Sequence, residues 1–149
     1  MVDVGGKPAS ERTAAAEGVV RMSREAFDLV AAQAVAKGDV LAVAQVAGTM
    51  AAKRTGDLIP LCHPLGLELV EVEARLEPEL PGVRITAVAK VTGRTGVEME
   101  ALTAVAVACL TVYDMVKSAD RSMTVEDVRL IHKSGGSSGD YTALARSDR

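Results

Sequence analysis

An α+β sandwich, an antiparallel sheet with helices packed on one face like the split βαβ arrangement, is the fold class this sequence predicts. Three observations predict it. "LELVEVEARLE" and "VRITAVAKVTGR" are period-2 segments joined by the turn "ELPGV", which makes a hairpin. Apolar residues on either side of that hairpin recur at helical spacing. The order is strand, helices, hairpin, helix, strand, with no internal repeat. At 149 residues the chain is expected to be one domain over 1–149, with an N-terminal arm at 1–16 and a flexible Gly/Ser-rich tail at 134–149.

The elements follow in order. "MVDVGGKPASER" has Gly, Pro and no periodicity, so it reads as an arm, and "AEGVVRMS" as a short strand. Ser23 is the expected N-cap of a helix "REAFDLVAAQAVAK", with Phe27, Val30, Ala31 and Ala34 on one face and a stop at Lys37-Gly38. Asp39 opens a second helix, "DVLAVAQVAGTMAAKR", whose Ala42, Ala47, Gly48, Ala51 and Ala52 permit close packing. A loop stiffened by Pro60 and Pro64 leads into the hairpin, where Leu69-Val70 breaks the alternation. A long helix from about Val97 to Lys117 and a last strand "MTVEDVRLIHK" complete the set.

Composition excludes several classes. The chain is 48% hydrophobic and has only three aromatics, Phe27, Tyr113 and Tyr141, so Val, Leu, Ile, Met and Ala must build the core. A net charge of −3 argues against a nucleic-acid backbone binder, and the lack of stacking rings against a single-strand binder. The longest apolar run, Ala101 to Val112, falls short of the roughly 20 residues of a membrane span, so no membrane segment is expected. Cys62 and Cys109 form no CxxC pattern and no secretory leader is read, which points to free thiols in a reducing cytoplasm.

Several residues could carry chemistry. Cys62-His63 sits between two prolines, a stiff place for a reactive group, although a lone histidine is commonly structural; with His132 and Cys109 on other elements, no zinc site is expected. Glu98 reads as the closing residue of a capping box, Thr95-Gly96-Val97-Glu98, while Glu100 has no such role and is free to meet a ligand. Asp114 and Lys117 are spaced as a surface ion pair. Stepping by 3 and 4 from Glu100 through Thr103, Val107 and Leu110 nevertheless reaches both, which places them in a stripe expected to be buried and makes them acid–base candidates. Lys37, Lys53, Arg54 and Lys133 flank turns, where lysines are usually solvated; together with the Gly-rich "KSGGSSGD" they suit a phosphorylated small molecule. Glu100 and Asp114 lie roughly 21 Å apart along the helix, too far for one small substrate. If both serve one site, two subunits build it.

"KRTGDLIPLCHPL", "TGRTGVEMEALTAVAVACLTVYDMVK", "RLIHKSGGSSGDY", "MVDV" and the "KGDV" at Lys37 together closely resemble the cyclic pyranopterin monophosphate synthase family, the C proteins of molybdenum cofactor biosynthesis, from Met1 to about Tyr141. The resemblance implies a ferredoxin-like fold and a lyase that converts (8S)-3′,8-cyclo-7,8-dihydroguanosine 5′-triphosphate into cyclic pyranopterin monophosphate with release of pyrophosphate. It implies a homo-oligomer, a hexamer arranged as a trimer of dimers, with active sites between subunits. Asp114 matches the family's catalytic aspartate, Lys117 its partner and Lys37 the lysine of "KGD"; Leu61, Cys62, His63, Met99 and Glu100 match substrate-contacting segments, and Glu98 the other carboxylate. Lys117 and Lys37 are assigned to proton transfer, and Arg12, Lys53, His63 and Lys133 to phosphate or base contacts. No cofactor is firmly implied, though a triphosphate leaves room for Mg²⁺. The competing class is a non-catalytic nucleotide-binding or regulatory module, which has little use for an acid–base pair in a buried stripe.

Overall fold

The computed structural model describes residues 1–144. Its elements are β1 (Ser10–Arg21), α1 (Arg24–Ala31), α2 (Val40–Lys53), the single turn α3 (Thr55–Leu58), β2 (Leu69–Glu77), β3 (Gly82–Gly93), α4 (Glu98–Val116), β4 (Thr124–Ser134) and β5 (Tyr141–Thr142). The strands form one open antiparallel sheet in the order β2-β3-β1-β4-β5. Its first four strands interleave two βαβ units, as in the ferredoxin-like arrangement, with α2 and α4 against the sheet.

Alternation decides which face the helices cover. Along β3, Val83, Ile85, Ala87, Ala89 and Val91 are buried while Arg84, Thr86, Val88 and Lys90 are only half-buried on the open face. In β1 Ala14, Ala16, Gly18 and Val20 are buried toward the helices, with Val19 buried as well, and a Cβ on Gly18 would stand 2.8 Å from Val105 and 3.3 Å from the Cys109 sulfur. Small residues on β1 therefore let α4 lie close to the sheet. Gly48 does the same between the helices, where a Cβ would come within 2.9 Å of the Ala104 carbonyl oxygen. The buried core is Ala and Val with Ile85, Phe27, Cys109 and three methionines; no leucine is buried among the described residues, and Leu41, Leu67, Leu76 and Leu102 pack at its margin.

Several boundaries differ from expectation. β1 starts at Ser10, so residues 10–16, read as arm, are paired strand from Ser10↔Gly93 onward. Helix α1 ends at Ala31 rather than Lys37, because Ala31 and Ala34 are exposed and a left-handed Gln33 (φ 54°) closes the turn. Alanine propensity alone would have continued it. The N-caps hold as expected: Ser23 Oγ accepts from Ala26 N–H at 3.2 Å, and Asp39 Oδ1 from Ala42 N–H at 3.0 Å. The break at Leu69-Val70 is the start of β2, whose Val70, Val72, Ala74 and Leu76 then alternate onto the core. β4 bulges where Asp127 takes φ 54°, and a fifth strand in the Gly/Ser-rich tail was unforeseen. Residues 145–149 of that tail lie outside the described residues.

Helix α4 is long and apolar enough in composition to cross a membrane, with a mean hydropathy of 1.6. Ten of its residues are buried between the sheet and α2, so here it is the core helix.

Candidate active site

The early end of α1 brings Lys37 back to the C-terminal end of α4. Its Nζ donates to Asp114 Oδ2 at 2.6 Å and to the Asp114 carbonyl oxygen at 2.9 Å, while Lys117 Nζ donates to Asp114 Oδ1 at 2.7 Å. Hydrogen bonds from Lys117 and then Lys37 hold the Asp114 carboxyl down at about 2. Sequence reasoning named all three residues, but the buried stripe does not exist here. The side chains of Lys37, Asp114 and Lys117 are 50%, 55% and 49% exposed, and Leu110 is 60% exposed. Fourteen residues turn a helix about 40° short of four full turns. A row that starts in the core at Glu100 therefore winds out to solvent at Asp114.

The other carboxylates and cations gather at the opposite end. A pocket of about 220 Å³ lies between the start of α4, the end of β4 and the N-terminal arm; Lys7, Arg12, Arg94 and Lys133 line it, with Glu98 the one carboxylate among the described lining residues. Arg12 Nε donates to the Gly93 carbonyl oxygen at 2.9 Å, which fixes the guanidinium at its edge. Gly135 and Gly136 take φ of +88° and +82°, and a Cβ on Gly136 would collide with that guanidinium. Lys133 reaches Ser138 Oγ at 2.7 Å and Glu98 at 3.8 Å. A second hollow of about 580 Å³ adjoins it, sharing Glu98, Lys133 and Ser138 and adding Arg129, Asp140 and Tyr141.

The expected capping box is not formed. Val97 is the N-cap and no side chain caps the helix; Glu98 instead folds over Gly96, where a Cβ would strike its carboxylate, and turns toward Lys133. Glu100 is 3% exposed and its carboxyl is pushed up, first by burial and then by Glu98. Cys62 is close enough for Glu100 to raise its thiol, after the larger effect of burial. The stiff loop is pinned there: Cys62 N–H donates to the Ile59 carbonyl oxygen at 3.0 Å, and Gly56 leaves room for Pro64, with a Cβ only 3.1 Å from its Cα.

The other expected contacts divide. His63 and Met99 are half-buried beside Cys62 and Glu100 in the chain, and Leu61 is 71% exposed on the loop. Lys53 ends α2 in solvent and joins neither cluster. Lys7 and Arg94 were not foreseen as pocket residues. Arg94 Nη1 donates to the Gly5 carbonyl oxygen at 3.1 Å, which folds the arm toward the pocket, and nothing local in the sequence announces a contact across 89 residues.

The fold is of the α+β class, and its candidate site sets a basic pocket at one end of the central helix and a lysine–aspartate–lysine cluster at the other. Residues 1–136 match the MoaC family, and the chain belongs to it. It is 62% identical over 96% of its length to a cyclic pyranopterin monophosphate synthase from Methylobacterium sp. (strain 4-46), of which it covers 89%. Proteins of the same name from Methylobacterium nodulans and Brucella melitensis biotype 2 are 61% identical over 96% of the chain and 58% over 95%, with 89% and 86% of their own lengths covered.

Proposed function

We propose that this chain converts (8S)-3′,8-cyclo-7,8-dihydroguanosine 5′-triphosphate into cyclic pyranopterin monophosphate with release of pyrophosphate, a step of molybdenum cofactor biosynthesis. The observation that carries the reading is the 58–62% identity to synthases of that name over nearly the whole of both chains. The free thiols Cys62 and Cys109 suit a cytoplasmic enzyme.

The reaction makes two demands. Rebuilding the purine-derived ring needs protons given and taken at nitrogen and oxygen, and Lys37 and Lys117 are the groups to move them, with the Asp114 carboxylate holding both ammonium groups in place. Closing the cyclic phosphate expels pyrophosphate, whose developing charge needs cations already in position. Arg12 and Lys133, joined by Lys7 and Arg94, supply them in the pocket, with the Gly135-Gly136 turn bringing backbone close. A single carboxylate, Glu98, makes a poor metal site of this pocket, so any Mg²⁺ would come coordinated by the phosphates.

These two groups lie at opposite ends of α4, which favours a site shared by two subunits. Helix α2 runs antiparallel beside α4, since Lys37 just before it meets Asp114 while Gly48 further along meets Ala104. It exposes Val43, Val46 and Met50 in one stripe, and Leu110 of α4 is exposed as well. A second copy set against that stripe by a two-fold axis would bring each Asp114 end toward the partner's basic pocket. Three such dimers would make the hexamer.

The test is pyrophosphate release, with product fluorescence after oxidation, for wild type and Asp114→Ala. Turnover that vanishes in a variant of unchanged oligomeric state supports the reading. Nucleotide binding without turnover by the wild type would replace it with the regulatory module.

A further inference from the structure

Arg129 and Lys133 are four residues apart on β4, and in a regular strand side chains four apart stand on the same face. Here they do not. Arg129 lies opposite Glu17, whose other neighbour across the sheet is Thr86 of the open face, and donates to Glu17 Oε1 at 2.9 Å from Nε and 2.7 Å from Nη2. Lys133 lies opposite Ala14, which is fully buried toward the helices; its ammonium group reaches Ser138 Oγ at 2.7 Å and Glu98, at the start of α4, at 3.8 Å. Residues directly opposite in an antiparallel pair share a face, so β4 changes sides between the two.

One residue makes the change. Leu130 is paired with Ala16 and His132 with Ala15, which leaves Ile131 as an extra residue, a bulge against β1. That residue is held from the outer side, where Ala143 N–H donates to the Ile131 carbonyl oxygen at 2.9 Å. The strand before it is anchored as well: Leu130 packs against the core, and Glu17, which grips Arg129, also accepts from Arg84 Nη1 at 3.3 Å. Arg12 stands on the same face as Lys133, since its partner on β3 is the buried Val91. With Arg129 held and no bulge, Lys133 would fall opposite Thr13 on the face of Lys90, away from Arg12.

We propose that Ile131 is a positioning residue of the anion pocket and acts through its backbone. As the extra residue of the bulge it turns Lys133 onto the face of Arg12, while Arg129 stays with Glu17 on the other. The number of residues between Arg129 and Lys133 sets this, and the side chain at position 131 does not. The role of Lys133 as a phosphate contact rests on the function proposed above; the face on which it stands does not.

Three variants read the count. Deletion of Ile131 puts Lys133 three residues after Arg129, so a regular strand satisfies both, and KM for the cyclic dihydroguanosine triphosphate should stay at the wild-type level. An alanine inserted between His132 and Lys133 should send the lysine to the open face and raise KM about tenfold, as Lys133→Ala does, with kcat spared, the worth of one charged hydrogen bond. Ile131→Ala should change neither constant. A strand that simply needs its native length would suffer from the deletion at least as much as from the insertion. The dissociation constant of inorganic tripolyphosphate, measured by calorimetry, reads the pocket without turnover and should follow the same order. A deletion variant with weakened binding, or one that sizing and circular dichroism show to be unfolded, overturns the proposal, as does an insertion variant of wild-type affinity. If the insertion variant does not fold, the deletion variant decides alone. A wild type that binds tripolyphosphate but turns nothing over sinks the proposed reaction while the three variants still report the facing of Lys133; one that does neither overturns both readings.

Discussion

At the C-terminal end of α4 the charges answer one another in the open: two lysines close on Asp114 at 2.6 and 2.7 Å, with every partner about half exposed. At the N-terminal end they do not balance. Among the described residues four cations line a pocket with one carboxylate, and a second carboxyl group, Glu100, is buried two positions further along α4 with no ion pair. The first region is complete without a ligand and keeps its geometry until a proton moves. The second carries uncompensated positive charge, which an anionic substrate would neutralise. Poised chemistry and waiting affinity are thus separated along a single helix.

The sharpest way to break that division is to mutate one end at a time. Lys117→Ala should lower kcat by about 10²–10⁴-fold, the usual worth of a positioned acid or base, and leave KM nearly unchanged. Arg12→Ala should instead raise KM by about 10-fold to 100-fold, as expected for a lost charged hydrogen bond. Steady-state pyrophosphate release separates the two, and variants that move the same constant would dissolve the distinction. Mixing the variants sharpens it. If two subunits build each site, equal amounts of Asp114→Ala and Arg12→Ala, exchanged under mild denaturant, should regain about a quarter of wild-type turnover, because half the random dimers each carry one intact site. No recovery, with subunit exchange confirmed by mass spectrometry, would place each whole site within one chain.

Smaller effects follow from local geometry. Gly136 has φ +82°, and its missing Cβ leaves space for the Arg12 guanidinium. Gly136→Ala should cost about 1–2 kcal/mol of stability through left-handed backbone strain and raise KM while sparing kcat. Thermal melts and kinetics on the same preparation check both. The smallest effect concerns Asp114, whose carboxyl is lowered to about 2 from 3.8. A lowered carboxylate contributes stability that is complete above the unfolded value and lost as pH falls through the folded one. Carbon-13 titration of Asp114 should therefore place its midpoint near 2; a midpoint near its ordinary value of 3.8 would mean that the two lysines do not hold it in solution.

Most of the architecture was legible in the sequence because it rests on short-range rules. Ser23 and Asp39 cap their helices through side chains three residues from their targets, and the hairpin follows from alternation on either side of "ELPGV". Lys37, Asp114, Lys117, Arg12, Lys133, Glu98 and Glu100 were likewise singled out, some by pattern and others by resemblance. The capping box failed because a Thr-x-x-Glu spacing does not reveal that Lys133, 35 positions on, competes for Glu98. Lys53 lies apart from both clusters within one chain, and a cation at a helix end looks the same in sequence whether or not a pocket lies beside it.

The sequence by itself determined the main helices and strands, the antiparallel hairpin and the two helix caps, since these depend on neighbours within a turn or two. Only the tertiary structure decided where α1 stops, which strands bulge, that Lys7 and Arg94 join the pocket, and that Glu100 is buried while Asp114 is exposed on the same helix. The physical reason is that burial and charge pairing depend on distances between residues remote in sequence. Those distances are set by strand register and by the small residues that let α4 sit against the sheet.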